Sequence, residues 1–319
     1  MKINLGNNHM KTKDLENILK INSKELSDEF KRLFHGRGGL YKNFKFLTID
    51  SIDDILSIAF YQPIESTFED ELLSMITNFT ENSRHTTIIL QRRYLKNNSV
   101  DILKGSLEDD IYAIENGIKF KLNLLSNQNN GYFPDMKNGR TFVTENSKNK
   151  KVLNLFSYTC AFSLFALKGG AKSVSNIDMS KSALTTGRTN HHINNIDTYN
   201  VKFSPYNILK SFSRIKRDGP YDLIIIDPPT LQKGSFEATK DYNKIIKKLD
   251  QISSEDCIIL SCLNSPDLNS QFLIDLFKEF APTFKYIRRV ENLKEFPCID
   301  EDRSLKNLVF RKVIKNEIN

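Results

Sequence analysis

The sequence lacks any spacing of cysteine or histidine that is typical of a metal site. It has four cysteines without CxxC or CxxH spacing and five scattered histidines, and we expect His191 and His192 to lie on a helix surface. The cysteines are Cys160, Cys257, Cys262 and Cys298. This arrangement argues against a zinc site and against a disulfide framework. We therefore expect reduced thiols and no bound metal.

Long apolar runs are also missing. No stretch of the chain approaches the ~20 apolar residues that a membrane span needs. Residues 1–16 contain no apolar core of an export signal. The composition, 39% hydrophobic and 27% charged, is ordinary for a soluble globular protein. The sequence thus predicts a cytoplasmic protein that has no contact with a membrane.

What the sequence does contain is an excess of basic residues on a long chain. The formal net charge is +7 over 319 residues. A prior of roughly 100–200 residues per domain predicts two or three domains. The positive charge is compatible with a polyanionic partner, because lysine and arginine release counterions from phosphates.

The N-terminal region, residues 1–85, is predicted to be an α+β domain. Apolar residues at helical spacing predict a helix over 11–34, which the sequence HGRGG at 35–39 ends. Two strand-like runs follow within 44–60. Ser66 and Glu69 then form a capping-box pattern in front of a helix that ends near Asn78.

Residues 86–145 are predicted to form a small β-rich arm with a lid. Short strands are expected at 86–94, 111–117 and 118–125. The segment 126–140 carries enough glycine, proline and asparagine to be a loop. Its position just before the next domain makes it a candidate lid.

From residue 146 to residue 319, strands and helices alternate, which predicts an α/β domain with a doubly wound, mostly parallel sheet. Strands are expected at 152–156, 173–178, 201–203, 221–227 and 257–262. Helices are expected through Leu167 before Gly169-Gly170, after a Ser180 cap, and over 240–250.

In such a sheet, ligands bind beyond the carboxyl ends of the strands. The first strand is followed by small residues that open a helix (156–163), where backbone N–H groups attract a carboxylate. The second ends in Asp178, near the spacing at which an acid meets a ribose. Asn207 follows the third strand, and Asp227 with two prolines ends the fourth. These residues predict a nucleotide-type cofactor site and a stiff turn beside it.

Two segments resemble the cofactor-binding half of bacterial large-subunit ribosomal RNA base methyltransferases, a group with guanine-N7 and cytosine-C5 enzymes. They read NLFSYTCAFSLFALKGGAKSVSNIDMSKSAL (154–184) and YDLIIIDPPTLQKGSF (221–236). GYFPDMKNGR (131–140) resembles the segment that closes over the cofactor in that group. The resemblance implies a Rossmann-like class I methyltransferase domain over 146–319, with S-adenosylmethionine as cofactor and RNA as partner.

The resemblance also implies roles for individual residues. The implied cofactor-binding residues are Phe133, Asp135, Arg140, Ser157, Tyr158, Thr159, Ala161, Asp178, Met179, Asn207 and Asp227. The implied methyl-transfer residues are Asp227, Pro228, Pro229 and Asn264. Two features depart from the group: Ser157 and Ala161 replace glycines of the first loop, and Asn207 replaces an acid near the adenine. Alternative interpretations are that Asp178 only supports the Ser180 cap and that Asp227 only ends a strand.

The residue at the end of the fifth strand decides the reaction class. Cytosine-C5 methylation needs a thiolate, whereas a guanine ring nitrogen needs mainly orientation. The sequence places Asn264, rather than Cys262, where the cytosine enzymes carry their thiol, so we expect a guanine of ribosomal RNA. The alternatives are a cytosine-C5 enzyme, a protein or small-molecule methyltransferase, and an inactive RNA-binding factor.

Basic residues flank the predicted site and are candidates for RNA contact. They are Lys210, Arg214, Lys216, Arg217, Lys233, Lys240, Lys244, Lys247 and Lys248, with Arg92, Arg93 and Lys96 on the arm. A solvated helix face would have the same composition. The sequence gives no indication of the oligomeric state.

Overall fold

The computed structural model describes residues 10–95, 100–125, 129–232 and 236–313. Lys96, Lys233 and residues 126–128 of the expected lid lie outside the described residues. The chain divides into a first unit, Met1–Pro134 with Leu293–Ile299, and a second unit, Asp135–Asn292 with Asp300–Asn319. Within the described ranges, no helix combines the length and the apolar character that crossing a membrane requires.

The first unit contains a five-stranded sheet of order β1-β2-β3-β4-β5 and a separate two-stranded hairpin, β6-β7. Its elements are α1 (Thr12–Asn22), β1 (Lys31–His35), β2 (Leu47–Ile52), β3 (Ile55–Phe60), α2 (Ser66–Thr80), β4 (Thr87–Arg92), β5 (Val100–Lys104), β6 (Ile111–Glu115) and β7 (Ile118–Leu122), with a 3-10 turn at Lys42–Phe44. The helices pack on the sheet through Leu15, Leu19, Leu72 and Ile76. Asn116 and Gly117 both have positive φ, the Asn-Gly turn that hairpins favour.

Strand β1 corrects the expectation of one helix over 11–34. The helix ends at Asn22, and Leu33 and Phe34 lie in a strand instead. The pairing of β1 with β2 is irregular between Arg32 and Phe34, and Leu33 and Phe34 are both buried. Two consecutive buried residues break the alternation of a strand and imitate helical spacing.

Two further expectations in this unit are changed. Helix α2 forms as predicted, but its N-cap residue is Glu65 and the cap has no side-chain hydrogen bond. Glu69 instead pairs with Arg92. Strand β4 pairs with β3, so the boundary expected after residue 85 falls between two strands of a single sheet.

The second unit contains a seven-stranded sheet of order β10-β9-β8-β11-β14-β16-β15. Its elements are α3 (Lys137–Glu145), β8 (Lys151–Leu155), α4 (Ala161–Lys168), β9 (Ser173–Ile177), α5 (Lys181–Ile193), β10 (Val201–Ser204), α6 (Phe212–Asp218), β11 (Tyr221–Ile226), β12 (Leu231–Gln232), β13 (Phe236–Glu237), α7 (Ala238–Ile246), α8 (Leu249–Ile252), β14 (Ser253–Leu263), α9 (Ser270–Phe280), β15 (Phe284–Val290) and β16 (Lys306–Lys312). 3-10 turns lie at Pro134–Met136, Ile208–Lys210 and Glu301–Arg303. Strands β10, β9, β8, β11 and β14 are parallel, and β16 runs antiparallel to β14. The predicted Rossmann-like α/β fold is confirmed.

Local sequence explains the order of these elements. Strands β8 and β11 are almost entirely buried apolar runs, as expected for a parallel sheet covered on both faces. Ser180 caps α5 as predicted, since its hydroxyl accepts the Ala183 N–H at 3.2 Å. Gly169 ends α4, where a Cβ would lie 2.2 Å from the Thr144 carbonyl oxygen.

Helix α3 corrects the expectation of a loop over 126–140. Lys137–Glu145 is helical, and Phe142 and Val143 are buried in the core of the second unit. The polar residues of KNGR hide this helix from a composition-based prediction, because Gly139 and Asn138 both favour loops.

Candidate functional site

The carboxyl ends of five parallel strands lie level along one edge of the seven-stranded sheet, called here the carboxyl edge. Leu155 of β8 is aligned with Ile177 of β9 and with Ile226 of β11. Ile177 is aligned with Ser204 of β10, and Ile226 with Ser261 of β14. Residues that follow these strands therefore meet at the carboxyl edge. The predicted site residues among them are Ser157, Tyr158, Thr159, Asp178, Met179, Asn207, Asp227, Pro228, Pro229 and Asn264.

The loop between β8 and α4 contains three non-glycine residues with left-handed backbone. The φ angle is +59° at Phe156, +46° at Tyr158 and +62° at Cys160. Such a conformation costs a non-glycine residue roughly 1–2 kcal/mol. Ser157 and Ala161, the expected glycine replacements, are not among the residues with positive φ. The left-handed conformation that favours glycine is therefore adopted by the adjacent residues Phe156, Tyr158 and Cys160.

Contacts from β9 and α5 hold this strained loop. The Tyr158 N–H donates to Asp178 Oδ2 at 2.9 Å. The Asn190 side-chain amide donates to the carbonyl oxygen of buried Thr159 at 3.1 Å. Strain of this kind persists only where the surroundings fix the backbone, and it concentrates at functional sites.

Asp178 has two backbone contacts and remains partly exposed. Its Oδ1 accepts the Ser180 N–H at 2.8 Å, while Oδ2 accepts Tyr158 N–H. The interpretation of Asp178 as a partner of the Ser180 cap thus describes a real contact. Each carboxylate oxygen has two lone pairs, so both oxygens can still accept a ribose hydroxyl.

Met179 and Asn207 lie side by side at the ends of β9 and β10. The Asn207 amide nitrogen donates to the Met179 sulfur at 3.4 Å, and Met179 is 44% exposed. Asn207 Oδ1 accepts the Lys210 N–H at 3.2 Å, which fixes the orientation of the amide. An exposed thioether beside an oriented amide offers a planar ring both an apolar contact and a polar one.

Asp227, directly after β11, is the most perturbed carboxyl group of the carboxyl edge. Burial, followed by the negative charge of Asp135, raises its pKa to about 7, against the opposing charge of Arg140. A carboxyl group that titrates near neutral pH beside a second acid is typical of functional sites.

The segment 131–140, expected to close over a cofactor, is divided between the two units. Asp135 and Arg140 belong to the second unit, where Arg140 is 1% exposed and its guanidinium lies 5.8 Å from the centre of the Phe165 ring. Phe133 belongs to the first unit and is 42% exposed. Its contact with a cofactor stays a prediction.

The turn after β11 is joined to the end of β14. Pro228 is buried, whereas Pro229 and Thr230 are exposed. The Thr230 hydroxyl donates to the Asn264 carbonyl oxygen at 2.7 Å, and the Asn264 side chain is exposed. The predicted methyl-transfer residues are thus brought together by the structure.

Sequence reasoning missed Tyr242, whose side chain binds the ends of both β11 and β14. Its hydroxyl is buried 2.9 Å from the Cys262 carbonyl oxygen, 3.2 Å from the Ile226 carbonyl oxygen and 2.8 Å from the Ser261 hydroxyl. A buried tyrosine hydroxyl normally finds a polar partner. The apolar face that Tyr242 shares with Ile245 and Ile246 was the available signal.

Lys306 was also missed, and it fixes the chain that follows β14. Its fully buried ammonium donates to the carbonyl oxygens of Ser265, Asp302 and Ser304 at 2.8, 2.8 and 2.7 Å. Burial, followed by the charge of Arg289, lowers the pKa of Lys306 to about 8. A lysine at the start of a strand gives no sequence signal of this role.

The expectation that His191 lies on a helix surface is wrong. His191 is fully buried. Its Nδ1–H donates to the Gly187 carbonyl oxygen at 2.7 Å, which leaves Nε2 to accept from the Ser163 hydroxyl at 2.9 Å. Burial lowers the pKa of His191, so the neutral ring joins α4 to α5 below the strained loop.

Several basic side chains that are candidates for RNA contact have protein partners. These contacts are Arg92 with Glu69 and Asp101, Lys240 with Glu237, Lys244 with Asp241, Arg214 over the Tyr206 ring and Lys247 over the Phe280 ring. For the lysines of α7, the interpretation as a solvated helix face matches these contacts.

Gly187 makes the packing of the strained loop possible. An alanine Cβ at this position would lie 2.6 Å from Cys160 Sγ. We expect Gly187→Ala to destabilise the protein by about 1–2 kcal/mol, because overpacking exceeds the gain in helix propensity. Urea denaturation measures this loss. Cys160→Ala removes the sulfur, so we expect the double variant to be more stable than the sum of the two single losses predicts; strictly additive losses would contradict the explanation.

Comparison with known proteins places the chain among methyltransferases. A family model described as S-adenosylmethionine-dependent methyltransferase matches residues 31–311. YwbD of Bacillus subtilis (strain 168), provisionally named a ribosomal RNA large subunit methyltransferase, is 29% identical over 301 residues, 88% of this chain and 74% of YwbD. Ribosomal RNA large subunit methyltransferase I of Aeromonas salmonicida (strain A449) is 30% identical over 215 residues, 64% of this chain but only 54% of that protein.

Solved structures show the same fold. SMU.776, in complex with SAH, has a TM-score of 0.81 at 22% identity, over 96% of this chain and 83% of that one. A SAM-dependent methyltransferase from Agrobacterium tumefaciens has a TM-score of 0.64 at 18% identity, over 92% of both chains.

Proposed function

This chain belongs to the S-adenosylmethionine-dependent methyltransferase family, and we propose that it methylates a base of large-subunit ribosomal RNA. S-adenosylmethionine is its cofactor. The names of the Bacillus and Aeromonas relatives support large-subunit ribosomal RNA as the substrate. The observation that carries the proposal is the turn Asp227–Thr230, joined to Asn264 at the carboxyl edge. The partner is this RNA, free or in a pre-ribosomal particle, in the cytoplasm.

The residues of the carboxyl edge fit the cofactor. Asp178 supplies two carboxylate oxygens with free lone pairs for the ribose, and Met179 with Asn207 supplies a mixed apolar and polar contact for the adenine. The N-terminus of α4 follows the strained loop and attracts the carboxylate of the methionine part.

The contribution of the protein to the reaction is to hold the base in position. When bound, S-adenosylmethionine supplies a methyl group made electrophilic by its positively charged sulfur. Pro228 and Pro229 stiffen the turn, and the Asp227 carboxylate accepts hydrogen bonds from N–H groups of the base. The hydrogen bond from Thr230 to Asn264 keeps the turn after β11 at a fixed distance from the end of β14. Such positioning lowers the barrier without further chemistry from the protein.

Guanine is the base that we propose, because a guanine ring nitrogen already carries the lone pair that attacks the methyl group. Cys262 is fully buried, and burial raises the pKa of its thiol well above the usual value. The proton therefore stays on the sulfur at neutral pH, as for an inert structural cysteine. The exposed amide of Asn264 remains for the purine edge.

One observation favours cytosine as a second candidate. Ile226 is aligned with Ser261, so Asp227 and Cys262 follow at the same level on neighbouring parallel strands. Their side chains point to the same side of the sheet. In cytosine-C5 methylation, sulfur bonds to C6 and C5 takes the methyl group; loss of the C5 proton then expels the sulfur. A neighbouring carboxyl group with a pKa of about 7 would serve this chemistry by hydrogen-bonding the ring nitrogen.

Cys262→Ala separates the two bases. If guanine is the target, we expect the variant to retain transfer of labelled methyl groups from the cofactor to unmodified large-subunit ribosomal RNA within about tenfold, because no covalent step is lost. The assay uses both free RNA and ribosomal subunits, with thermal melting to confirm that the variant folds.

RNA that contains 5-fluorocytidine provides the complementary measurement. A covalent adduct that forms with the wild-type protein but not with Cys262→Ala would show that the target base is cytosine and not guanine. Labelling of protein or small molecules instead of RNA would overturn the RNA proposal. Failure to bind S-adenosylmethionine in calorimetry would point to an inactive RNA-binding factor.

A further inference from the structure

The five-stranded sheet of the first unit has two edges, and their loops differ in charge. Strands β1, β3 and β4 end at one edge, where β2 begins, since His35 is aligned with Thr48 and Phe60 with both Leu47 and Arg92. The segments at this edge are 36–46, 61–65 and 93–95, and they hold one acidic residue, Glu65. Their basic residues are Arg37, Lys42, Lys45 and Arg93.

The opposite edge has the reverse charge. The segments that flank the strands there are 24–30, 53–54, 81–86 and 105–110, with nine acidic residues and two basic ones. The acidic residues are Glu25, Asp28, Glu29, Asp53, Asp54, Glu81, Glu108, Asp109 and Asp110. A sheet with one basic edge and one acidic edge orients a polyanion before contact.

The ring of Tyr61, at the end of β3, lies close to two guanidinium groups. Arg37 lies 4.0 Å and Arg93 5.7 Å from the centre of the Tyr61 ring. Tyr61 and Arg93 directly follow the aligned parallel strands β3 and β4. Their N–H groups donate to the carbonyl oxygens of Phe46 and Phe60, both at 2.8 Å. The backbone therefore fixes this stack.

Arg37 differs from Arg32, Arg84 and Arg92 of the first unit, each of which pairs with a carboxylate. Arg32 pairs with Asp50 and Arg84 pairs with Asp53. Arg92 pairs with both Glu69 and Asp101. In the described part of the chain, Arg37 has no carboxylate partner, and it is exposed. Lys42 and Lys45 are exposed as well. Burial, then the charges of Arg32 and Arg37, lowers the pKa of nearby His35 to about 3, consistent with a positive local potential.

The loop that carries Arg37 packs closely against neighbouring backbone at the two glycines that flank the arginine. A Cβ at Gly36 would lie 1.8 Å from the Phe44 carbonyl oxygen, and one at Gly38 would lie 1.8 Å from the Pro297 carbonyl oxygen. The Ile299 N–H also donates to the Gly38 carbonyl oxygen at 3.0 Å. Because the loop is fixed on both sides, its arginine needs little ordering when a ligand binds.

We propose that Arg37, Lys42, Lys45, Tyr61 and Arg93, called here the basic edge, bind a single-stranded segment of the RNA substrate. This inference rests on the proposed function. The lysines and Arg37 contact phosphates, and the Tyr61–Arg37 stack receives an unstacked base. RNA is favoured over other polyanions because single-stranded bases stack on tyrosine rings and guanidinium planes, whereas a purely electrostatic partner needs no ring.

The test measures binding of unmodified large-subunit ribosomal RNA over a range of salt concentrations. We expect Arg37→Ala combined with Lys45→Ala to weaken binding on the order of tenfold. The slope of log K against log salt should fall by about 1.4, for two single-strand phosphate contacts. Tyr61→Ala should weaken binding about tenfold without changing that slope, whereas Tyr61→Phe keeps the ring and binds as the wild type does.

Arg84→Ala is the matched control, since Arg84 lies at the acidic edge and pairs with Asp53. It should bind RNA as the wild type does, and all variants should bind S-adenosylmethionine equally in calorimetry. If the double variant Arg37→Ala with Lys45→Ala bound RNA as tightly as the wild type does, RNA binding by the basic edge would be refuted, and the proposed function would stand. Absence of RNA binding by the wild type, with cofactor binding intact, would instead overturn the proposed function and this inference together. An equal loss of affinity for heparin, with no effect of Tyr61→Ala on RNA, would refute base stacking.

Discussion

Asp227→Asn is expected to lower kcat by about 10²–10³-fold while making the apo protein more stable above pH 7. The carboxylate is the proposed acceptor for N–H groups of the base, and removing one oriented electrostatic contact at a reacting group has an effect of this order. The asparagine has nearly the same shape but no charge to bury. The variant should therefore bind S-adenosylmethionine within a few-fold of wild type.

The gain in stability follows from the pKa of Asp227, raised from 3.8 to about 7. The folded protein holds this proton more tightly than the unfolded chain does. Stability therefore falls as pH rises from 3.8 to about 7, and the whole cost is present above pH 7. The shift sets an upper limit of about 4 kcal/mol for that cost. Asparagine removes it.

Urea denaturation at pH 5 and at pH 8 measures the effect on stability, and methyl incorporation into RNA measures the effect on activity. Asp256→Asn is the control, since Asp256 is exposed at the far end of β14 and pairs with Arg311. Wild-type kcat should rise with pH through about 7, because the ionised carboxylate accepts the hydrogen bonds. A rate that falls through this range would favour the protonated carboxyl group that cytosine chemistry uses.

Lys306→Met is expected to cost about 2–4 kcal/mol of stability and to lower kcat more than it changes KM for the cofactor. Methionine keeps the apolar stem but leaves the carbonyl oxygens of Ser265, Asp302 and Ser304 without their shared donor. Ser265 follows Asn264, so the loss of the ammonium loosens the end of β14, where Asn264 is proposed to contact the base.

Urea denaturation and initial rates at saturating RNA test this prediction. Lys285→Met, an exposed lysine on neighbouring β15, should change stability by less than about 0.5 kcal/mol. If Lys306→Met were as stable and as active as this control, the three contacts would have no role in holding the end of β14.

The carboxyl edge could be predicted because two short buried strands, β9 and β11, are each followed directly by an aspartate. Because these strands are parallel, Asp178 and Asp227 lie at the same edge of the sheet. Ser180 could be assigned as a cap for a similar reason, since its role depends only on the next three residues.

The remaining features depend on partners that are distant in sequence. The Lys306 ammonium donates to the carbonyl oxygen of Ser265, 41 residues away, and the Tyr242 hydroxyl donates to that of Cys262, 20 residues away. Helix α3 is amphipathic but begins with polar residues that imitate a loop. Local pattern contains no information about these choices, because tertiary packing decides them.

The three left-handed residues before α4 affect how relatives of this protein can be recognised. A search for a glycine pattern after the first strand would pass over this chain, since Phe156, Tyr158 and Cys160, none of them glycine, occupy its left-handed positions. The dihedral angles of this loop, and a small residue such as Gly187 opposite it, are better search criteria than the identity of its residues. Divergent members of the family can then be found by backbone conformation where the glycine motif has been lost.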